Sequence, residues 1–153
     1  MSTPSEFPCQ SESDTFIKLA THFIHNKGAR LTQPRKDIIS VLATTSSPLS
    51  PYDIVTRSPH SPLDAVTVYR TLALLETGGL VHRVGGSAKY IRCHYGCQDA
   101  QTPSHSMVEC VDCGKVRELP IPPRVDGVVA PVGFRILGHD LLFKGRCYEC
   151  ESP

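Results

Sequence analysis

Two Cys-x-x-Cys pairs, Cys110/Cys113 and Cys147/Cys150, constrain this chain more than any other feature. Two residues between cysteines let both thiolates bind one ion from a tight turn, and Gly114 permits the backbone to fold past the sulfurs. Two such pairs complete a tetrahedral S4 set, which suits Zn²⁺ best; a redox dithiol and an Fe–S cluster are the competing chemistries. The long segment between the pairs means that such a site ties distant parts of one domain together.

Redox compartment follows from the rest of the cysteine usage. The chain has seven cysteines, an odd number. Its first residues, MSTPSEFPCQSESD, carry no basic n-region and no apolar h-region, so no export leader is expected. The cytoplasm is the expected location, and there paired cysteines read as metal ligands rather than as a disulfide framework. No run of eighteen apolar residues occurs, so no membrane span is expected. The Pro/Ser/Glu-rich residues 1–13 read as a disordered tail, and Cys9 within it as unused.

Charge is unevenly spread. From Thr15 to Tyr90 nine Lys/Arg stand against four Asp/Glu, a net of +5. From Ile91 to Pro153 seven stand against eight, a net of −1. A basic module joined to a metal-rich module is the picture this gives, and 153 residues suffice for two small domains.

Apolar spacing predicts a helix from Asp14 to Lys27, stopped by Gly28. Thr32 caps a second helix with Pro34 in its first turn and Ile38, Ile39, Val41 and Leu42 on its apolar face. Ser50 caps a short third helix, Pro51 to Thr56. A fourth starts near Asp64, counts Val66, Val68, Leu72, Leu74 and Leu75 as apolar positions, and ends at Gly78-Gly79. Leu80–Val84 and Ala88–Arg92 flank Gly85-Gly86 as a β-hairpin. Helices followed by a two-stranded hairpin are the plan of a winged helix-turn-helix.

Residues 93–104 read as a hinge loop. Beyond them, Ser106–Cys110, Lys115–Leu119, Phe134–Leu137 and Leu141–Lys144 are predicted strands, and Pro120–Gly133 has room for at most a short helix. The expected fold is therefore α+β: a winged-helix DNA-binding domain over residues 14–92, then a small α+β domain over 105–153 stapled by structural zinc. His82, Cys93, His94, Cys97, His105, Glu118 and His139 remain as further candidate ligands; taken singly, each has an ordinary surface or core role.

The motifs, taken in order, resemble those of the ferric uptake regulator (Fur) family. Ala29-Arg-Leu-Thr-Gln-Pro-Arg35 resembles the start of its second helix, and Thr67-Val-Tyr-Arg-Thr-Leu72 its recognition helix. Cys110-Val-Asp-Cys-Gly-Lys-Val116 and Gly145-Arg-Cys-Tyr-Glu-Cys150 resemble its structural zinc motif. The resemblance implies a homodimer that binds a pseudo-palindromic double-stranded DNA operator under control of a metal ion, with residues 105–153 as dimerisation domain. It is nearest to the zinc-uptake branch, which implies a regulatory zinc held by His82, Cys93, His105 and Glu118, and so one structural and one regulatory Zn²⁺ per subunit. His94 and Cys97 are alternatives to His105, and His139 is a candidate for a further site. The function implied is a zinc-responsive repressor of zinc uptake genes, not an enzyme; a sensor of iron, manganese or peroxide is the rival within the family. A zinc enzyme is the remote rival, and no HExxH or HxE…PCxxC pattern supports it. For DNA, the resemblance points to Arg70 and Tyr52, with Tyr69 on base or backbone and Arg30, Arg35, Lys36 and Lys89 on phosphates. Pro120–Gly133 is short for the family's dimerisation helix.

Overall fold

Four helices build the first half: α1 (Gln10–Asn26), α2 (Gln33–Ala43), α3 (Pro51–Arg57) and α4 (Ala65–Thr77). The computed structural model describes residues 10–60, 62–93, 104–119, 127–136 and 139–151, and of residues 10, 11, 104, 105, 139 and 140 the backbone alone. Helix α1 begins at Gln10, so residues 10–13 belong to it rather than to a tail. The side chain of Ser13 fixes that early turn by donating to the carbonyl of Ala43 at 2.8 Å.

Local chemistry sets the other helix starts. Pro34 occupies the first turn of α2 after Thr32, whose side chain makes no cap hydrogen bond. Ser50 and Asp53 form a capping box on α3: Ser50 Oγ accepts from the Asp53 N–H at 3.1 Å, and Asp53 Oδ2 accepts from the Ser50 N–H at 2.8 Å. Asp64 caps α4 by accepting from the Thr67 N–H at 2.8 Å. Hydrogen bonds from Ser50 hold the Asp53 carboxyl below its usual range. Ser50→Ala is expected to lower the free energy of unfolding by about 1 kcal/mol at pH 7, read from urea melts. A depressed carboxyl pKa stabilises above the unfolded value and is lost as pH falls through the folded one. The wild-type advantage should therefore shrink as pH falls below about 4.

The helices close on one core. Phe16, Ala20 and Ile24 of α1 meet Ile38, Ile39 and Leu42 of α2, Ile54 of α3, and Val68, Leu72 and Leu75 of α4. Val66 departs from the apolar face expected of α4. It is exposed rather than part of that face.

A hairpin of β1 (Val81–Arg83) and β2 (Tyr90–Arg92) follows, paired antiparallel with His82 opposite Ile91. Leu49 adds an isolated antiparallel bridge to Tyr90. Strand alternation gives the hairpin two different faces. One carries Val81 and Tyr90, which join the helical core. The other carries Val84 and Ile91, which join a second, smaller core with Met107, Val116 and Leu142. The wing is thus a wall shared by both halves. Gly85, at φ +50°, sits in its turn, and an added Cβ there would stand 3.0 Å from Leu142 Cδ2.

The second half is a three-stranded sheet in the order β4–β3–β5, from β3 (Ser104–Cys110), β4 (Val116–Glu118) and β5 (His139–Gly145). Strand β3 pairs antiparallel with β4 and parallel with β5. A four-residue helix, α5 (Tyr148–Glu151), carries the last cysteine. The predicted strand over Phe134–Leu137 is not formed across Phe134–Ile136, and Leu137 lies outside the described residues. Both edges of β3 are taken by β4 and β5, and Phe134 follows Gly133 in a turn closed by its N–H to the Pro131 carbonyl at 3.0 Å. A strand exists only where a partner pairs with it, and Phe134–Ile136 pair with none of the three strands. Residues 127–133 form no helix, and 120–126 lie outside the described residues.

Candidate metal centres and nucleic-acid interface

The β3–β4 turn brings Cys110 and Cys113 to one end of the sheet. Strand β5 and α5 bring Cys147 and Cys150 to the same end. Gly114 closes the turn at φ +71°, a value that only glycine adopts at no steric cost. The four Sγ atoms all lie within 4.8 Å of one another, and Cys113 Sγ is 3.7 Å from Cys147 Sγ. That is far beyond a disulfide bond, and it matches the edge of a tetrahedron with metal–sulfur bonds of about 2.3 Å, which is about 3.8 Å.

The thiol electrostatics point the same way. N–H groups of Cys147 and Cys113 lower the Cys110 thiol to about 6. The Cys147 N–H stands 3.3 Å from that sulfur. Cys150 is instead pushed up to about 12 by the neighbouring Cys147 and Cys113 thiols. The set resists full ionisation by itself, and a divalent cation is what would hold four thiolates together.

Three ion pairs bracket this end: Lys115 with Glu149, Lys144 with Glu109, and Arg146 with Asp112 at 2.5 Å. Sequence reasoning passed over them. The opposite signs beside the two cysteine pairs, Asp112 and Lys115 against Arg146 and Glu149, were the available signal.

A second cluster lies between the halves. On the wing, His82 and Val84 share a face with Ile91 and, one step beyond β2, Cys93, whose N–H donates to the Leu80 carbonyl at 2.8 Å. That face meets the sheet at β4. There His82 Nε2 is 3.3 Å from Glu118 Oε1, and Cys93 Sγ is 3.8 Å from the same oxygen. One ligand atom from each of His82, Cys93 and Glu118 lies within 4.8 Å of the others. His82 and Cys93 are buried, and the Glu118 side chain is 7% exposed. Nitrogen and oxygen ligands about 2.0–2.1 Å from a tetrahedral zinc would stand about 3.3 Å apart, so the spacing fits that ion.

His105 stands in β3 two residues before Met107, the register partner of Glu118. Its side chain, and that of His139 in β5, are not described. His94 and Cys97 lie outside the described residues. Cys9 does too.

On the helical half, Tyr52 is 75% exposed at the start of α3, and Tyr69 is 51% exposed on α4 beside the exposed Arg70. Arg30, Lys36 and Lys89 are exposed, whereas Arg35 is half-buried and donates to the Arg30 carbonyl at 2.5 Å. Sequence reasoning also missed buried Asp37, which accepts from Gln33 Nε2 at 2.8 Å and lies 3.1 Å from His60 Nδ1. This contact ties the loop before α4 to α2.

A winged helix whose wing shares a buried metal-competent cluster with a second unit carrying four converging cysteines defines a class, the metal-responsive DNA-binding regulators. The chain belongs to the ferric uptake regulator family, whose profile matches residues 26–143. It is 28% identical over 151 residues to the ferric uptake regulation protein of Campylobacter jejuni, covering 92% of each chain. It is 27% identical over 129 residues to the zinc uptake regulation protein of Escherichia coli, covering 81% of this chain and 74% of that protein. A solved zinc uptake regulator complexed with zinc and DNA superposes with a TM-score of 0.72 at 26% identity, over 91% of this chain and 95% of that one. Its family are transcription regulators. No helix among the described residues is long and apolar enough to cross a membrane.

Proposed function

We propose that this protein is a homodimeric, zinc-responsive transcriptional repressor of zinc uptake genes, acting in the cytoplasm. The observation that carries the reading is the convergence of His82 and Cys93 from the wing with Glu118 from the second sheet. A thiolate beside an imidazole and a carboxylate is a borderline-soft set, which favours zinc over iron(II) or manganese(II). Ferric and zinc uptake relatives match at similar identity, so the ligand chemistry rather than the likeness is what supports zinc in this reading. His105 is the fourth ligand in this reading, with His94 and Cys97 as its alternatives.

Bound there, zinc supplies a divalent charge and directional bonds that join the two units. His82 and Cys93 hold the wing, and Glu118 holds the sheet. The wing packs on α4's own core, so fixing it fixes the orientation of α4 relative to the second unit. A second copy then places two α4 helices at a set separation on a pseudo-palindromic operator. Val128, Val129, Val132, Phe134 and Ile136 are exposed large apolar side chains in the second unit, the kind of surface a partner copy covers. Arg70, Tyr52 and Tyr69 face DNA, and Arg30, Lys36 and Lys89 meet phosphates; Arg35 serves the Arg30 backbone as well. Cys110, Cys113, Cys147 and Cys150 hold a separate structural zinc, giving two ions per subunit. Residues 14–92, together with the first turn of α1, are the DNA-binding unit and 105–153 the dimerisation unit.

DNA affinity measured by fluorescence anisotropy at buffered free Zn²⁺, Fe²⁺ and Mn²⁺ tests the choice of metal. Zn²⁺ is expected to raise affinity about 5- to 150-fold, the usual span of allosteric coupling. Activation by Fe²⁺ at its physiological level with none by Zn²⁺ would make the protein an iron sensor instead.

A further inference from the structure

Helix α4 leaves Ala65, Val66, Tyr69, Arg70 and Ala73 on its exposed side, while Val68, Thr71, Leu72 and Leu75 turn inward. Val66 is 56% exposed. A single exposed valine is ordinary on a protein surface. This one is not alone: Val66, Tyr69 and Arg70 stand at i, i+3 and i+4, so they form one strip on the first two turns. The strip holds one cation and no carboxylate. Asp64, the nearest acid, is turned back onto the Thr67 N–H at 2.8 Å and the Thr67 hydroxyl at 2.5 Å. An aliphatic and aromatic strip with a guanidinium suits a polyanion that also presents apolar groups.

Residues in the first turns of a recognition helix are those that meet base edges. A valine side chain neither donates nor accepts a hydrogen bond. In the major groove the apolar group it can pack against is the C5-methyl of thymine. We infer that Val66 is a specificity-determining residue that reads a thymine methyl, beside a base contact made by Arg70. This inference rests on α4 being the DNA-reading helix, as proposed above.

The test starts from a duplex selected out of a random library by the zinc-loaded, full-length protein. Each thymine of one half-site is then replaced by uracil, which removes only the methyl group. Wild type is expected to lose about fourfold in affinity at one position, the loss for one buried methyl-sized group. Val66→Ala, which lacks both γ-methyls and reaches less far into the groove, should lose most of the discrimination between the thymine and uracil duplexes there, and Val66→Thr, which keeps one γ-methyl, should retain much of it. Equal melting temperatures would show that the exposed substitution leaves the fold intact. A uracil penalty that persists unchanged in Val66→Ala at every position overturns the assignment to Val66, although the helix would still read DNA. If Arg70→Ala binds as tightly as wild type and no uracil position matters, α4 is not the reading helix and both readings fall.

Discussion

Cys93→Ser is expected to abolish zinc-dependent DNA binding while leaving a folded protein that retains one zinc per chain. Zinc content should fall from two ions to one, measured by mass spectrometry under native conditions. Loss of an outer-shell partner alone typically costs about 10–100-fold in metal affinity, so loss of the thiolate should exceed that. DNA affinity at saturating zinc should drop to the metal-free level of the wild type. His82→Gln and Glu118→Gln should behave alike, because the three ligand atoms converge on one point.

The fold should survive for reasons visible in the structure. The link from Cys93 to Leu80 is made by its backbone N–H, which serine keeps. Val81 and Tyr90 still hold the wing to the helical core, and Val84 and Ile91 still hold it to the sheet. Wild-type zinc dependence in Cys93→Ser would remove this cluster from the regulatory role. Because linkage is reciprocal, the same variant should also lose the tightening of zinc binding that operator DNA produces in wild type.

Much of this arrangement was legible in the sequence, and the losses have physical causes. Ser50 gave the start of α3 because capping depends on neighbours in the chain, and Asp64, near which α4 was expected to start, is its cap. Gly85-Gly86 gave the hairpin for the same reason. Val66 was misplaced because it and Val68 are two apart, about 200° around a helix, and both cannot face one core. The strand expected at Phe134–Leu137 is absent from its described residues, Phe134–Ile136, because a strand is defined by a partner, and alternation in one segment does not say which partner pairs with it. The four cysteines announced themselves by spacing within each pair. His82, Cys93 and Glu118 did not, since no fixed spacing joins side chains that meet through hairpin register and packing between two sheets. Family order named them, and register explains them: His82 faces Ile91, Cys93 follows on the same face, and that face meets β4.

Cys113→Ser is expected to have a larger and different effect, the loss of the second unit's structure. The small core there has Val84, Ile91, Met107 and Val116 buried, with Leu142 packed against them. Two of those residues belong to the wing, so among the described residues the sheet itself buries little. Structural zinc sites in small domains bind with apparent free energies of about 10–16 kcal/mol, and that binding is coupled to folding. The three ion pairs beside the cysteines do not replace it, because exposed pairs contribute about 0–1 kcal/mol each. Circular dichroism should show the β-sheet signal of the second unit lost, and sedimentation should show the dimer lost with it. The helical half, with its own core, should keep a separate melting transition. A graded chelator titration on wild type should then resolve two steps: release of one zinc with loss of DNA affinity and unchanged circular dichroism, followed by release of the other with unfolding. Release of the first ion with simultaneous loss of sheet structure would mean that the staple and the sensor are not separate sites. Retention of a folded, dimeric Cys113→Ser chain would show that the four-cysteine site is not the staple.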